Sequence, residues 1–322
     1  MDNLTHSLVG AVMGQAGLKR KTGLAMPALV IGANLPDVDA ACFFWLEGNE
    51  HLGFRRGITH GPPALVILPL ILAGILWYYD RWQAKRGKRP EGRLPVHFGW
   101  LYALSFLGAL SHPLLDWMNV YGVRFWEPFA PTWAYGDTLF IIDVWLWALL
   151  SISVWWGYAR ERSGGNQRPI AQSAIAIMLT YIGANWMITQ SHVVRDSDVQ
   201  FPGRVVIASP MPIFSWEREM ILGGNGRYTI TDPAIEGTDP MDAHSHEQFV
   251  QRVGECRLEP IYAARDGNSE LDAFLFWSRT PFAQKSEDGS VVLYDARFYD
   301  PRARGRFSMP VPNIECEELR PD

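Results

Sequence analysis

Cysteine is scarce in this chain, with three in 322 residues. Cys42 lies in an apolar stretch, which leaves only Cys256 and Cys316 to pair in an oxidising compartment and argues against a thiolate-bound structural zinc. No basic residue precedes the first helix, which opens with an acid and a histidine, so no cleavable signal sequence is expected. Internal repeats and low-complexity tracts are missing, which sets repeat architectures aside. A serine elbow is missing too, and Ser111 faces away from its neighbour His112 on a helix, so a serine nucleophile has no support. Beyond residue 190 the chain is acidic, with Arg in large excess over Lys, a balance that gives no reason to expect nucleic acid as a partner.

What the sequence does have is apolar length. Gly61 to Tyr79, Phe98 to Leu115, Thr138 to Trp156 and Ile170 to Ile188 are each close to the ~20 residues that cross a hydrocarbon core as a helix. Leu4 to Leu18 is too short to span alone, and Gly23 to Leu46 is long enough but interrupted by acids. Trp77-Tyr78-Tyr79 and Trp155-Trp156 read as interfacial belt residues. The expected fold is mainly α: a polytopic helical domain of about five spans and a short first helix over residues 1–191, then a β-rich domain over 192–322. Three basic loops, Lys19-Arg20-Lys21, Arg81 to Arg93 and Arg160 to Arg168, assign the cytoplasmic side. Threading the chain through them places the C-terminal domain outside, as a multi-pass inner-membrane protein with an extracytoplasmic domain.

In that last domain Arg204 to Ala208, Phe214 to Leu222, Arg227 to Thr231, Ala273 to Ser278 and Ser290 to Phe298 read as strands. Gly223-Gly224-Asn225-Gly226 reads as a hairpin turn. Thr231 to His246 is rich in Asp, Pro and Gly and reads as a loop, with His244 and His246 solvated within it.

Ionisable groups inside membrane segments are costly and mark function. Here they fall into short motifs: Thr5-His6, Leu35-Pro36-Asp37-Val38-Asp39, Arg56-Gly57-Ile58-Thr59-His60, Ser111-His112-Pro113-Leu114-Leu115-Asp116, then Asp137 and Asp143. His112 and Asp116 are four apart and share a helix face, so both can point at one ion. Pro36 breaks the helix ahead of Asp37 and Asp39, and broken helices are tolerated where they line a site. Arg56 has two readings, neutralising an Asp or binding an anionic group of a substrate. The outward topology brings His6, Asp37, Asp39, His60, His112, Asp116 and Asp143 to similar depth. Three histidines with several carboxylates suit a divalent metal, zinc first and Mn²⁺ or Fe²⁺ as alternatives, as one ion or two.

The order of these motifs, completed by Tyr135-Gly136-Asp137 and Phe140-Ile141-Ile142-Asp143, resembles the family of membrane-bound metal-dependent hydrolases, also described as LexA-binding, inner-membrane-associated and YdjM-like. The resemblance implicates His6, Asp37, Asp39, Arg56, His60, His112, Asp116, Asp137 and Asp143. Two positions depart from it: Gly61 stands where serine is expected after Thr-His, and Val144 where proline often follows the last Asp. The His-x-x-x-Asp element is also similar to one in the zinc-dependent phospholipase C group, which points to phosphoesters. The expected function is hydrolysis of a lipid or lipid-linked ester or phosphoester at the outer membrane interface. In that expectation Asp39 or Asp143 is the base, and Arg56 helps stabilise the oxyanion. The alternative is a metal-stabilised membrane scaffold or regulator without catalysis.

Overall fold

Asp2 starts the helical region. Its carboxylate accepts from the Leu4 and Thr5 amides at 3.0 and 3.1 Å and so caps helix α1 (Asn3–Gln15). The computed structural model describes residues 1–197, 204–231, 250–301 and 303–319. They fall into two compact units, Met1–Ala40 with Arg56–Trp186, and Ala41–Arg55 with Met187–Asp322. The segment Ala41–Arg55 thus belongs to the second unit although Asp39 and Arg56, which flank it in sequence, belong to the first.

In the first unit α1 is followed by α2 (Ala25–Gly32) and a run of 3-10 turns, Leu35–Phe44, bent 52° from α2 at the break that Pro36 predicts. Counting α3 (Glu50–Phe54) of the second unit, the later helices are α4 (Pro62–Lys85), α5 (Phe98–Trp117), α6 (Val144–Arg162) and α7 (Arg168–Ser197). Among the described residues three helices are long and apolar enough to cross a membrane: α4, α5 and α7 through Val194, or up to four if the bent pair counts as one span. That is fewer than the five expected. The run from Thr138 does not become helix until Val144, and α6 ends in Arg160-Glu161-Arg162 with four tryptophans lowering its hydropathy.

Close backbone contact organises these helices. A Cβ on Gly108 of α5 would lie 2.6 Å from the Leu29 carbonyl oxygen of α2, and one on Gly32 would lie 2.7 Å from the Ser105 carbonyl oxygen. Only hydrogen fits at either place, so α2 and α5 touch main chain to main chain, as small residues allow in membrane helix pairs. Ala25, Ala28, Leu29, Leu72, Leu101 and Leu104 fill the core around this crossing. A second core joins Val9 and Val12 of α1 to Leu146, Leu150, Ala174 and Met178 of α6 and α7.

The described residues of the second unit form two antiparallel sheets. One has the order β1 (Val205–Pro210), β2 (Arg218–Gly224), β3 (Arg227–Thr231) and β4 (Val250–Val253); the other β5 (Pro281–Lys285), β6 (Val291–Asp295) and β7 (Ser308–Val311). The β2–β3 hairpin pairs Gly224 with Arg227, and Asn225 (φ 54°) and Gly226 (φ 83°) take the left-handed conformation a two-residue turn of this kind requires. The expected strand Ala273 to Ser278 is instead the body of helix α9 (Ser269–Trp277), after α8 (Glu259–Ala263). Asn268 caps α9 and its apolar residues Leu271, Phe274 and Leu275 recur at helical spacing, a period that outweighs the strand preference of the Phe-Leu-Phe-Trp run. Cys256 and Cys316 form a disulfide, and Cys42 is a buried thiol outside it. At the end of β6, Asp295 receives two parallel bonds from the Arg297 guanidinium, both 2.8 Å, and a third from Thr280 Oγ1 at 3.0 Å. Burial opposes ionisation of Asp295, yet Arg297 and these hydrogen bonds outweigh it and hold the carboxyl below the usual carboxylate range. The loop expected from Thr231 to His246, with His244 and His246, lies outside the described residues after Thr231.

Candidate metal centre

Each ligand candidate reaches the site for a local reason. His6 sits one turn into α1, whose start is fixed by Asp2; the Trp147 indole of α6 donates to both Asp2 oxygens and to Thr5 Oγ1 at 3.1 to 3.2 Å. His112 lies one turn after Gly108, so the close crossing that Gly108 permits carries the imidazole to the end of α2. There its Nδ1–H donates to the Ala33 carbonyl at 2.7 Å, a helix-end acceptor with no intrahelical partner of its own. That bond requires the proton on Nδ1 and turns Nε2 into the site. His60 is set the same way: Nδ1 is 3.0 Å from Thr59 Oγ1, which donates at 3.2 Å to Asp39 Oδ2.

The three free nitrogens converge on Asp116. His6 Nε2 lies 3.3 Å from Asp116 Oδ1, and His60 Nε2 and His112 Nε2 each lie 3.5 Å from Oδ2. The His6 and His112 rings stack at 3.7 Å, and His60 meets His112 edge-on at 5.1 Å. All three imidazoles are fully buried, and their Nε2 atoms have no hydrogen-bond partner among the described residues. Two overlapping groups have ligand atoms within 4.8 Å of one another: His6, His112 and Asp116, and Asp37, His60 and His112. Buried polar atoms left without partners cost about 1–3 kcal/mol each. Several of them aimed at one point fit a divalent cation, and an oxygen on the far ring nitrogen, as His60 and His112 have, is what metal-bound imidazoles ordinarily carry.

Asp39 lies beside these groups. Its Oδ2 accepts from the Arg56 amide at 2.8 Å and stands 3.7 Å from His60 Nδ1, so it fixes the turn carrying Arg56, Thr59 and His60. Asp143 is in neither ligand group: Oδ1 caps α6 through the Trp145 and Leu146 amides, and Oδ2 accepts from Tyr181 at 2.8 Å. The shared depth that suggested it as a ligand comes from its place at a helix start. Asp137 is buried in a left-handed conformation (φ 47°) and is in neither ligand group.

Of the two readings of Arg56, the geometry favours neutralisation. Nε contacts Asp116 Oδ2 at 3.1 Å, Nη1 donates to Asn119 Oδ1 at 3.1 Å and to the Gly122 carbonyl at 3.2 Å, and the guanidinium lies 4.5 Å from the centre of the Tyr121 ring. The Met1 amino group also contacts Asp116. Sequence reasoning missed Asn119, Tyr121 and Gly122. A fully buried asparagine one turn after Asp116 was the available signal, because a buried amide needs partners.

Residues 1–192, well over half of the chain and all of these groups, match the family described as YdjM inner membrane protein. The chain belongs to that family. No curated protein and no solved structure matches it. Membership in the YdjM family together with three apolar helices makes this a membrane protein of the inner-membrane type, and its buried His and Asp groups could hold a metal ion.

Proposed function

We propose that this protein is a membrane-embedded, metal-dependent hydrolase that acts on a lipid or lipid-linked ester or phosphoester at the outer membrane interface. The observation that carries the reading is the convergence of three buried, unpartnered imidazole nitrogens on one carboxylate. His6, His60, His112 and Asp116 would hold the ion, with Asp37 at its edge. Bound there, a divalent cation supplies Lewis acidity and a water of lowered pKa.

The other groups have separable tasks. Asp37 has a side chain 10% exposed against 1% for Asp116, so of the two carboxylates Asp37 is the better suited to meet water and accept a proton. Asp39 and Thr59 orient His60, and Arg56 balances the Asp116 charge. This replaces Asp39 and Asp143 as candidate bases with Asp37, and makes Arg56 a positioning group. Basic loops on the opposite side and the Cys256–Cys316 disulfide support an extracytoplasmic second unit.

A specific observation favours a second reading. The ligand atoms are nearly inaccessible, as in a closed structural site with no open position, which suits a metal-stabilised scaffold. Purified protein loaded with Zn²⁺, Mn²⁺ or Fe²⁺ and presented with lipid esters and phosphoesters in mixed micelles separates the two. Release of head group or acyl chain that needs metal and is lost in Asp37→Asn supports the hydrolase. Stoichiometric metal with no turnover across the panel supports the scaffold.

A further inference from the structure

The turn between β1 and β2 presents three large apolar side chains outward. Ile213 is 55% exposed, Phe214 51% and Trp216 53%, and the Phe214 and Trp216 rings meet edge-on at 5.6 Å. So concentrated an apolar patch on a short turn marks an interaction site.

What holds this turn indicates what it meets. Arg218, at the start of β2, is buried, and its Nε donates to Thr189 Oγ1 at 2.9 Å. Thr189 belongs to the last part of α7, whose apolar span ends at Val194. The turn is therefore fixed at the level where a membrane-crossing helix leaves the hydrocarbon. The backbone is also prepared for a medium poor in water: the Ser215 and Glu217 carbonyls accept from Arg218 Nη1, and the Phe214 carbonyl accepts from the Glu217 amide at 2.8 Å. Carbonyls satisfied internally can enter the interface without the penalty that bars irregular backbone from lipid. Trp is enriched at that depth because its ring is apolar and its N–H is not.

We propose that residues 213–216 insert into the lipid–water interface beside the end of α7, so that the β-rich unit is anchored to the bilayer by side chains as well as by its helix. The occupant is the phospholipid surface itself, and the inference is independent of whether the metal centre is catalytic.

The test uses the full chain with Cys42→Ala and a single new cysteine, Phe214→Cys or Ile213→Cys. The comparison is Ser286→Cys, in the exposed turn between β5 and β6. Each is labelled with an environment-sensitive fluorophore and reconstituted into vesicles of phosphatidylethanolamine and phosphatidylglycerol carrying nitroxide at a shallow acyl position. The expected result is blue-shifted emission at 213 and 214 that loses most of its intensity to the nitroxide, with little loss at 286. Quenching at 213 and 214 no greater than at 286 overturns the proposal. The two positions guard against one substitution disturbing the turn.

Discussion

Gly108→Ala should weaken metal binding although Gly108 bears no ligand. The added methyl would sit 2.6 Å from the Leu29 carbonyl oxygen and 2.8 Å from the Ala33 amide nitrogen. Both are backbone atoms that no rotamer change can move, and real Cβ contacts essentially never come below 3.0 Å. The two helices must part by a few tenths of an ångström or more, at a cost of about 1–3 kcal/mol. The separation acts where His112 Nδ1 holds the Ala33 carbonyl at 2.7 Å, so the imidazole loses the bond that fixes its tautomer and direction. Losing the hydrogen-bond partner of a ligating histidine typically costs about 10–100-fold in metal affinity. The assay is chelator competition on detergent-solubilised protein, with helix content followed by circular dichroism. Gly74→Ala in α4, where an added Cβ meets nothing within 4 Å, serves as the control and should leave affinity unchanged. A folded Gly108→Ala protein with wild-type affinity would refute the link from helix crossing to site.

Arg56→Ala should lower thermal stability in the metal-free protein by about 1–3 kcal/mol, because the buried Asp116 carboxylate loses its guanidinium partner and keeps the Met1 amino group as its remaining cation. Arg56→Lys should recover only part of this, since a lysine cannot reproduce contacts to Asp116, Asn119 and Gly122 from one planar group. In the second unit, the folded pKa of Asp295 is depressed, so its stabilising contribution is fully present above the unfolded value of about 3.9 and is lost as pH falls through the lower folded value. Thermal scans between neutral pH and about pH 3 should show that loss, and Asp295→Asn should remove about 3 kcal/mol already at pH 7 by taking the carboxylate charge away from the buried Arg297 guanidinium. An Asp295→Asn protein as stable as wild type at neutral pH would contradict the pairing argument.

The centre was legible in the sequence to the extent that its members are expensive residues in apolar surroundings. His6, Asp37, His60, His112 and Asp116 stand out for that reason, and Pro36 announces the bend that brings Asp37 in. Asp143 shows the weakness of the depth argument: topology places a residue at a level of the membrane, and helix capping then decides where its carboxylate points. The Ala33 and Gly122 carbonyls leave no trace in the sequence, because main-chain oxygens are present at every position; the crossing of α2 on α5 selects the first and the reach of Arg56 the second. In the second unit alternation marks β2 and β3, whereas Ala273 to Ser278 reads as a strand and folds as helix because a short apolar aromatic run has no decisive period. Nor does a linear boundary near His192 contain the placement of Ala41–Arg55 in the second unit, where α3 packs on α9 and the Asn49 amide donates to Glu270 at 3.1 Å.

The central claim is that His6, His60, His112 and Asp116 form one metal centre, and His112 is common to both ligand groups. Elemental analysis of wild type, His112→Ala and His60→Ala, purified in the same detergent and compared at equal helix content, tests it most directly. The account predicts near-stoichiometric divalent metal in the wild type and loss in both variants. Well-folded wild-type protein that takes up no zinc, manganese or iron would contradict it.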